Sequence, residues 1–115
     1  MMTTLYGFKA CDTVQKARKW LDAKGVAHRF FDYRVETLDP KVVDDWFARA
    51  GWESVFNKGS TSFKELSAAD RAGLDAEKAR ALIASNTNFI KRPVLDTGKA
   101  LRFGFKPAAY EELLG

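Results

Sequence analysis

Thr4-Leu5-Tyr6-Gly7-Phe8-Lys9-Ala10-Cys11-Asp12-Thr13 reads as a strand that runs into a helix, with the only cysteine of the chain at the junction. The run Thr3 to Phe8 is short, apolar and rich in β-forming types, which predicts a buried strand. From Thr13 to Lys24 the period changes: Val14, Ala17 and Leu21 make one inward stripe, while Lys16, Arg18, Lys19 and Lys24 lie on the wet side. Asp12 is the expected helix cap, with Gln15 completing a capping box, and Gly25 is the stop. A thiol at such a junction sees the positive end of the helix dipole, which favours the nucleophilic thiolate if the sulfur is accessible. If it is buried, it is only a small apolar side chain.

Working outward, His28-Arg29-Phe30-Phe31-Asp32-Tyr33 reads as a second strand, so the first third is a β-α-β unit with a parallel pair and a right-handed crossover. The middle is helical. Asp39-Pro40 supplies a cap and a first-turn proline, Val42, Val43, Trp46, Phe47 and Ala50 form an apolar face, and Gly51 ends it. Thr61 to Leu66 is ambiguous, and Ser67 and Asp75 open further helix-start patterns, the latter leading a stripe to about Ser85. Pro93-Val94-Leu95, the turn Asp96-Thr97-Gly98, and Lys99 to Phe103 predict a β-hairpin. Lys106-Pro107 opens a last helix whose Ala109, Tyr110, Leu113 and Leu114 face inward. The order β-α-β, helical insert, β-β-α predicts an α/β fold with a mixed sheet covered by helices.

The 115 residues are expected to form one domain, 1-115, since no linker or repeat interrupts them. Nineteen basic and fifteen acidic residues are interleaved for a net charge of +4, a pattern that fits a local site for a small anion rather than a nucleic-acid partner. No apolar run approaches the ~20 residues of a membrane span, and the N-terminus lacks a signal pattern, so no membrane partner and a cytoplasmic location are expected. One cysteine forms no internal disulfide, which fits a reducing compartment. One histidine and one cysteine do not make a zinc site of the usual four ligands, so no metal is expected; His28 is assigned to the start of a strand. Trp20, Trp46 and Trp52 lie at helix-associated positions and are expected to pack.

Four pieces, Leu5 to Thr13, Lys16-Ala17-Arg18-Lys19-Trp20-Leu21, Phe56-Asn57-Lys58 and Ile90-Lys91-Arg92-Pro93-Val94, together with Gly104-Phe105-Lys106-Pro107, resemble the arsenate reductase C (ArsC)/Spx/YffB family, and most closely its YffB-like branch. The resemblance runs over nearly the whole chain. It implies a thioredoxin-like mixed four-stranded sheet with a helical insertion between the second and third strands. It also implies a glutathione-dependent thiol-disulfide reductase in which Cys11 attacks a disulfide, forms a mixed disulfide and is released by glutathione as co-substrate, with no permanently bound cofactor. Glutaredoxin or a disulfide-containing protein would be the further partner.

Arsenate reductases of this family hold the oxyanion with three arginines. Here one falls on Arg92, but the others fall on Asn57, followed by Lys58, and on Lys106. Lysine does not reproduce the bidentate guanidinium fork, so an arsenate reductase of low efficiency is the first alternative. The second is a non-enzymatic regulator binding RNA polymerase, as Spx does; the Cys-x-x-Cys switch of many Spx proteins is ruled out here by Val14.

Within this reading Cys11 and Arg92 are the catalytic pair. Arg92 would bind a glutathione carboxylate or stabilise a thiolate, its extended backbone being set by the following proline. Lys9 would add positive charge, against Asp12. Thr13 would donate its hydroxyl, or equally contribute to the helix cap. Pro93 is expected to be cis and to present backbone for an extended peptide such as glutathione. Asn57, Lys58 and Lys106 complete the substrate-binding set; loop asparagine, solvated lysine and a residue before the last helix are their blander readings.

Overall fold

The structure is a computed structural model that describes residues 3–114. They fall into two compact units, one made of the described residues through Thr37 together with those from Arg92 onward, the other of Leu38–Lys91.

In the first unit, strand β1 (Thr3–Gly7), helix α1 (Asp12–Ala23), strand β2 (His28–Asp32), strands β3 (Val94–Asp96) and β4 (Leu101–Phe103) and the last helix (Pro107–Leu114) build a four-stranded sheet in the order β2-β1-β3-β4. The first two strands are parallel, and the β1–β3 and β3–β4 pairs are antiparallel. This is the mixed sheet of a thioredoxin-like α/β fold, with a helical segment inserted in sequence between its second and third strands. The alternation of β1 explains its faces. Leu5 stands beside Phe30 and Leu95 in register, and this row is sealed by Ala17 and Leu21 of α1 and Tyr110 of the last helix. Trp20 and Phe105 pack edge-on against Tyr110 at 5.6 and 4.9 Å between ring centroids. Each such side chain taken fully from water stabilises the unit by roughly 1.5–3 kcal/mol.

The second unit holds α2 (Pro40–Ala50), α3 (Trp52–Val55), α4 (Thr61–Lys64), α5 (Ala68–Ala72), α6 (Ala76–Ser85) and a 3-10 turn (Thr87–Phe89); the helix closing the first unit is α7. Its starts follow the caps read from sequence: Asp39, Ser67 and Asp75 accept from Lys41 N, Asp70 N and Lys78 N. The ambiguous Thr61 segment is a single turn capped by Ser60. Phe56 stacks on Phe89 at 5.5 Å and meets Phe63 edge-on, beside the buried Trp46, Val55 and Ile83. Val42 and Phe47 lie half-buried at the margin of the predicted α2 face, whose buried members are Val43 and Trp46.

Two expectations are corrected. Asp12 does not cap α1: it is the first helical residue, and the cap position is Cys11 itself, extended at φ −77° and ψ 123°, whose carbonyl accepts from Gln15 N at 3.0 Å. The chain reaches the helix one residue sooner because Gln15 sends its side chain back to the Lys9 carbonyl, at 2.9 Å, rather than to a capping box. The first two strands also end one residue early, at Gly7 and Asp32 rather than at Phe8 and Tyr33, although Tyr33 N still donates to Gly7 O at 3.0 Å.

Sheet and helix approach each other closely at Gly7. A Cβ there would stand 2.6 Å from Cγ2 of the buried Val14. Gly7→Ala is therefore expected to destabilise the fold by about 1–3 kcal/mol through overpacking. Adding Val14→Ala should recover part of that loss, so the double variant will be less destabilised than the sum of the two single ones. Chemical denaturation of the four proteins measures this, and strict additivity would contradict the contact.

Candidate active site at the end of the sheet around Cys11

The register of β1 decides which residues meet at its carboxyl end. Gly7 pairs with Asp32 across the parallel ladder, so the next position brings Phe8 beside Tyr33. Tyr6 pairs with Val94 across the antiparallel ladder, so continuing two positions brings Phe8 beside Arg92. The side chains follow that row. The Phe8 and Tyr33 rings meet edge-on at 6.1 Å, and the Arg92 guanidinium lies 4.8 Å from the Phe8 centroid. A second guanidinium, that of Arg34, lies 3.5 Å from the same ring. Phe8 is buried and Arg92 half-buried, so the Arg92 contact is made in a partly desolvated place, where cation–π attraction is stronger than at an exposed residue such as Arg34.

Three residues beyond Phe8 stands Cys11, partly exposed, a free thiol at the N-terminus of α1 whose side chain makes no capping bond. Its N–H donates to the Phe8 carbonyl at 3.2 Å, which fixes the turn between strand and helix. One carboxylate ties the two neighbouring loops together: Asp32 Oδ2 accepts from Lys9 N at 3.2 Å and Oδ1 from Arg34 N at 2.9 Å. The Arg92–Pro93 peptide is cis, as expected, and Pro93 O accepts from Gly104 N at 2.9 Å, linking the start of β3 to the end of β4.

Electrostatics converge on Tyr33. Burial pushes its phenol well above the ordinary tyrosine range; Arg92 and Arg34 pull the other way, while a charge on Cys11 or Asp32 adds to the rise. The hydroxyl is therefore held neutral, as a donor. Within this unit the expected site residues divide. Cys11, Arg92 and Pro93 belong to one end of the sheet. Lys9 and Thr13 flank Cys11 with exposed side chains. Lys106 is exposed at the start of α7, where its carbonyl accepts from Ala109 N and Tyr110 N at 3.0 and 3.1 Å.

Asn57 and Lys58 belong to the second unit. Asn57 organises its own loop: its N–H donates to Phe89 O at 2.7 Å and its Oδ1 accepts from Gly59 N at 3.1 Å. Lys58 Nζ lies 5.5 Å from the Trp52 ring. Among the described residues no group of three or more His, Cys, Asp or Glu side chains is placed to hold a metal ion, and no helix is long and apolar enough to cross a membrane.

Phe8, Tyr33 and Arg34 are the residues that sequence reading passed over. Their signal was positional. In a sheet with parallel strands, ligands gather at the carboxyl ends of the strands, and all three lie just past the ends of β1 and β2.

Fold and site together define a thioredoxin-like protein with one cysteine at the start of its first helix. The ArsC family model matches residues 6–113, and the chain belongs to the ArsC family. It is 40% identical over 111 residues to an uncharacterized protein of Haemophilus influenzae, covering 96% of both chains. A solved YffB protein is 44% identical with a TM-score of 0.93, over 99% of this chain and 100% of that one. A solved arsenate reductase (ArsC) related protein from Brucella melitensis is 41% identical with a TM-score of 0.80, over 97% of this chain and 93% of that one. More distant is the global transcriptional regulator Spx of Listeria innocua, 24% identical over 90% of this chain and 80% of that protein.

Proposed function

We propose that the protein is a cytoplasmic, glutathione-dependent thiol–disulfide reductase in which Cys11 is the nucleophile. The observation that carries this reading is a partly exposed, lone thiol at a helix N-terminus, at the end of the sheet that also bears Arg92 and Pro93. On a glutathionylated substrate, the Cys11 thiolate attacks the glutathione sulfur. The Cys11–glutathione disulfide forms as the old S–S bond breaks, and the substrate leaves as a thiolate with the bonding electron pair, then takes a proton from water. A second glutathione thiolate attacks the mixed disulfide, returning the Cys11 thiolate and releasing oxidised glutathione. The substrate is reduced by two electrons, and two glutathione moieties leave joined as a disulfide. Arg92 binds a glutathione carboxylate, Pro93 aligns the peptide backbone, and Lys9, with the hydroxyl of Thr13, supports the anionic sulfur. Lys106 is assigned a supporting contact to the substrate.

A second reading, arsenate reduction, is favoured by the likeness to the Brucella melitensis protein and by the unpartnered guanidinium nitrogens of Arg92. Because two of three arginine positions are Asn57 and Lys106, we assign it low efficiency. The likeness to Spx supports a third, a regulator that binds RNA polymerase without chemistry at Cys11.

One assay separates them. Oxidised glutathione is followed by its enzymatic reduction while the protein is supplied with either a glutathionylated peptide or arsenate. The proposal expects turnover of the peptide that exceeds turnover of arsenate. Preferential arsenate turnover establishes the second reading, and no turnover of either, with polymerase binding that survives Cys11→Ser, establishes the third.

A further inference from the structure

Among the described residues, two tyrosine hydroxyls are buried without a hydrogen-bond partner, those of Tyr33 and Tyr110. Tyr110 sits wholly inside the core among Leu5, Leu21 and Leu95, and burial alone raises its ionisation. Tyr33 differs. It is 94% withdrawn from solvent, since only 6% of its surface remains exposed, yet the charges of Arg92, Arg34 and Asp32 act on it, as a thiolate at Cys11 would. Beside it, across the Phe8 ring, Nε and Nη1 of Arg92 are also buried and unpartnered. A guanidinium only donates, and a neutral phenol with no donor to receive from is free to donate as well. Asp32 is not their acceptor: its two oxygens serve the backbone of Lys9 and Arg34. A cluster of buried donors without acceptors is built for a molecule that supplies them.

We propose that Tyr33 is a specificity-determining residue of this site: its hydroxyl, with Nε and Nη1 of Arg92, hydrogen-bonds an anionic oxygen group of the molecule that reacts at Cys11. The proposal rests on the functional reading above and extends it. The shared chemistry is that of a peptide carboxylate, as in glutathione, or of a tetrahedral oxyanion. Phe8 holds the Arg92 fork in place by stacking, so the donors are arranged before the anion arrives. A disulfide without an anionic group gains nothing from them.

The test is calorimetric titration of the wild-type protein, Tyr33→Phe and Tyr110→Phe with S-methylglutathione, with its dimethyl ester and with inorganic phosphate. Loss of one hydrogen bond to a charged group is expected to weaken binding of S-methylglutathione by Tyr33→Phe about tenfold. The diester should bind the two proteins alike, and Tyr110→Phe should match the wild type. If phosphate rather than S-methylglutathione shows the tenfold loss, the donor pair stands and its anion is the tetrahedral one. Equal affinity of wild type and Tyr33→Phe for both anions, or no binding of either anion to the wild type, overturns the proposal. Should Tyr33→Phe fail to fold, the ring Cζ resonances of labelled tyrosine in the wild type decide: Tyr33 must shift with ligand while Tyr110 does not, and a stationary Tyr33 overturns it. Because S-methylglutathione cannot exchange, its Tyr33-dependent binding with no exchange at Cys11 would sink the reductase reading alone.

Discussion

Cys11→Ser is expected to abolish glutathione exchange, by at least about a thousandfold, as removal of a catalytic nucleophile does. No other thiol in the chain can substitute, since Cys11 is the only cysteine. The same substitution should not harm the fold. Cys11 occupies the cap position of α1 without a side-chain bond, and serine is among the best residues there, so a gain of roughly 0.5–1 kcal/mol is expected. Lost exchange with equal or greater stability separates chemistry from structure. Thermal unfolding and the coupled glutathione assay on one preparation measure both. Exchange that persists in the serine variant would place the chemistry elsewhere.

Arg92→Ala should lower kcat/KM for a glutathionylated peptide about 10- to 100-fold, the range of a lost hydrogen bond to a charged group. Arg92→Lys should recover little of it, because an ammonium restores charge but not the fork. An uncharged disulfide such as bis(2-hydroxyethyl) disulfide should react at nearly the wild-type rate with both variants. Equal losses on both substrates would assign Arg92 to holding the end of the sheet in place through Phe8 rather than to the anion.

Most of the fold was legible because its elements carry their own signals. The stripe Val14, Ala17, Leu21 became the buried face of α1, and Asp39, Ser67 and Asp75 capped the helices they precede. The cap of α1 was misread because Asp12 outranks cysteine as a capping type, and nothing local says that Gln15 will bond to the Lys9 carbonyl instead. The candidate site was legible only in part. Cys11, Arg92 and Pro93 stood out by type and by resemblance. Tyr33 and Phe8 looked like ordinary strand-end aromatics. What unites them is cross-strand register, which brings residues 8, 33 and 92 into one row. Register joins positions far apart in sequence, so no local pattern contains it.

The proposed role of Cys11 is tested most directly by mass spectrometry of the intact reduced protein after mixing with a glutathionylated peptide, then after adding free glutathione. The reductase reading predicts one glutathionyl group on Cys11 in the first step, peptide released as a thiol, and full return of the unmodified protein in the second. A Cys11 that stays unmodified, or an adduct that glutathione does not remove, contradicts it.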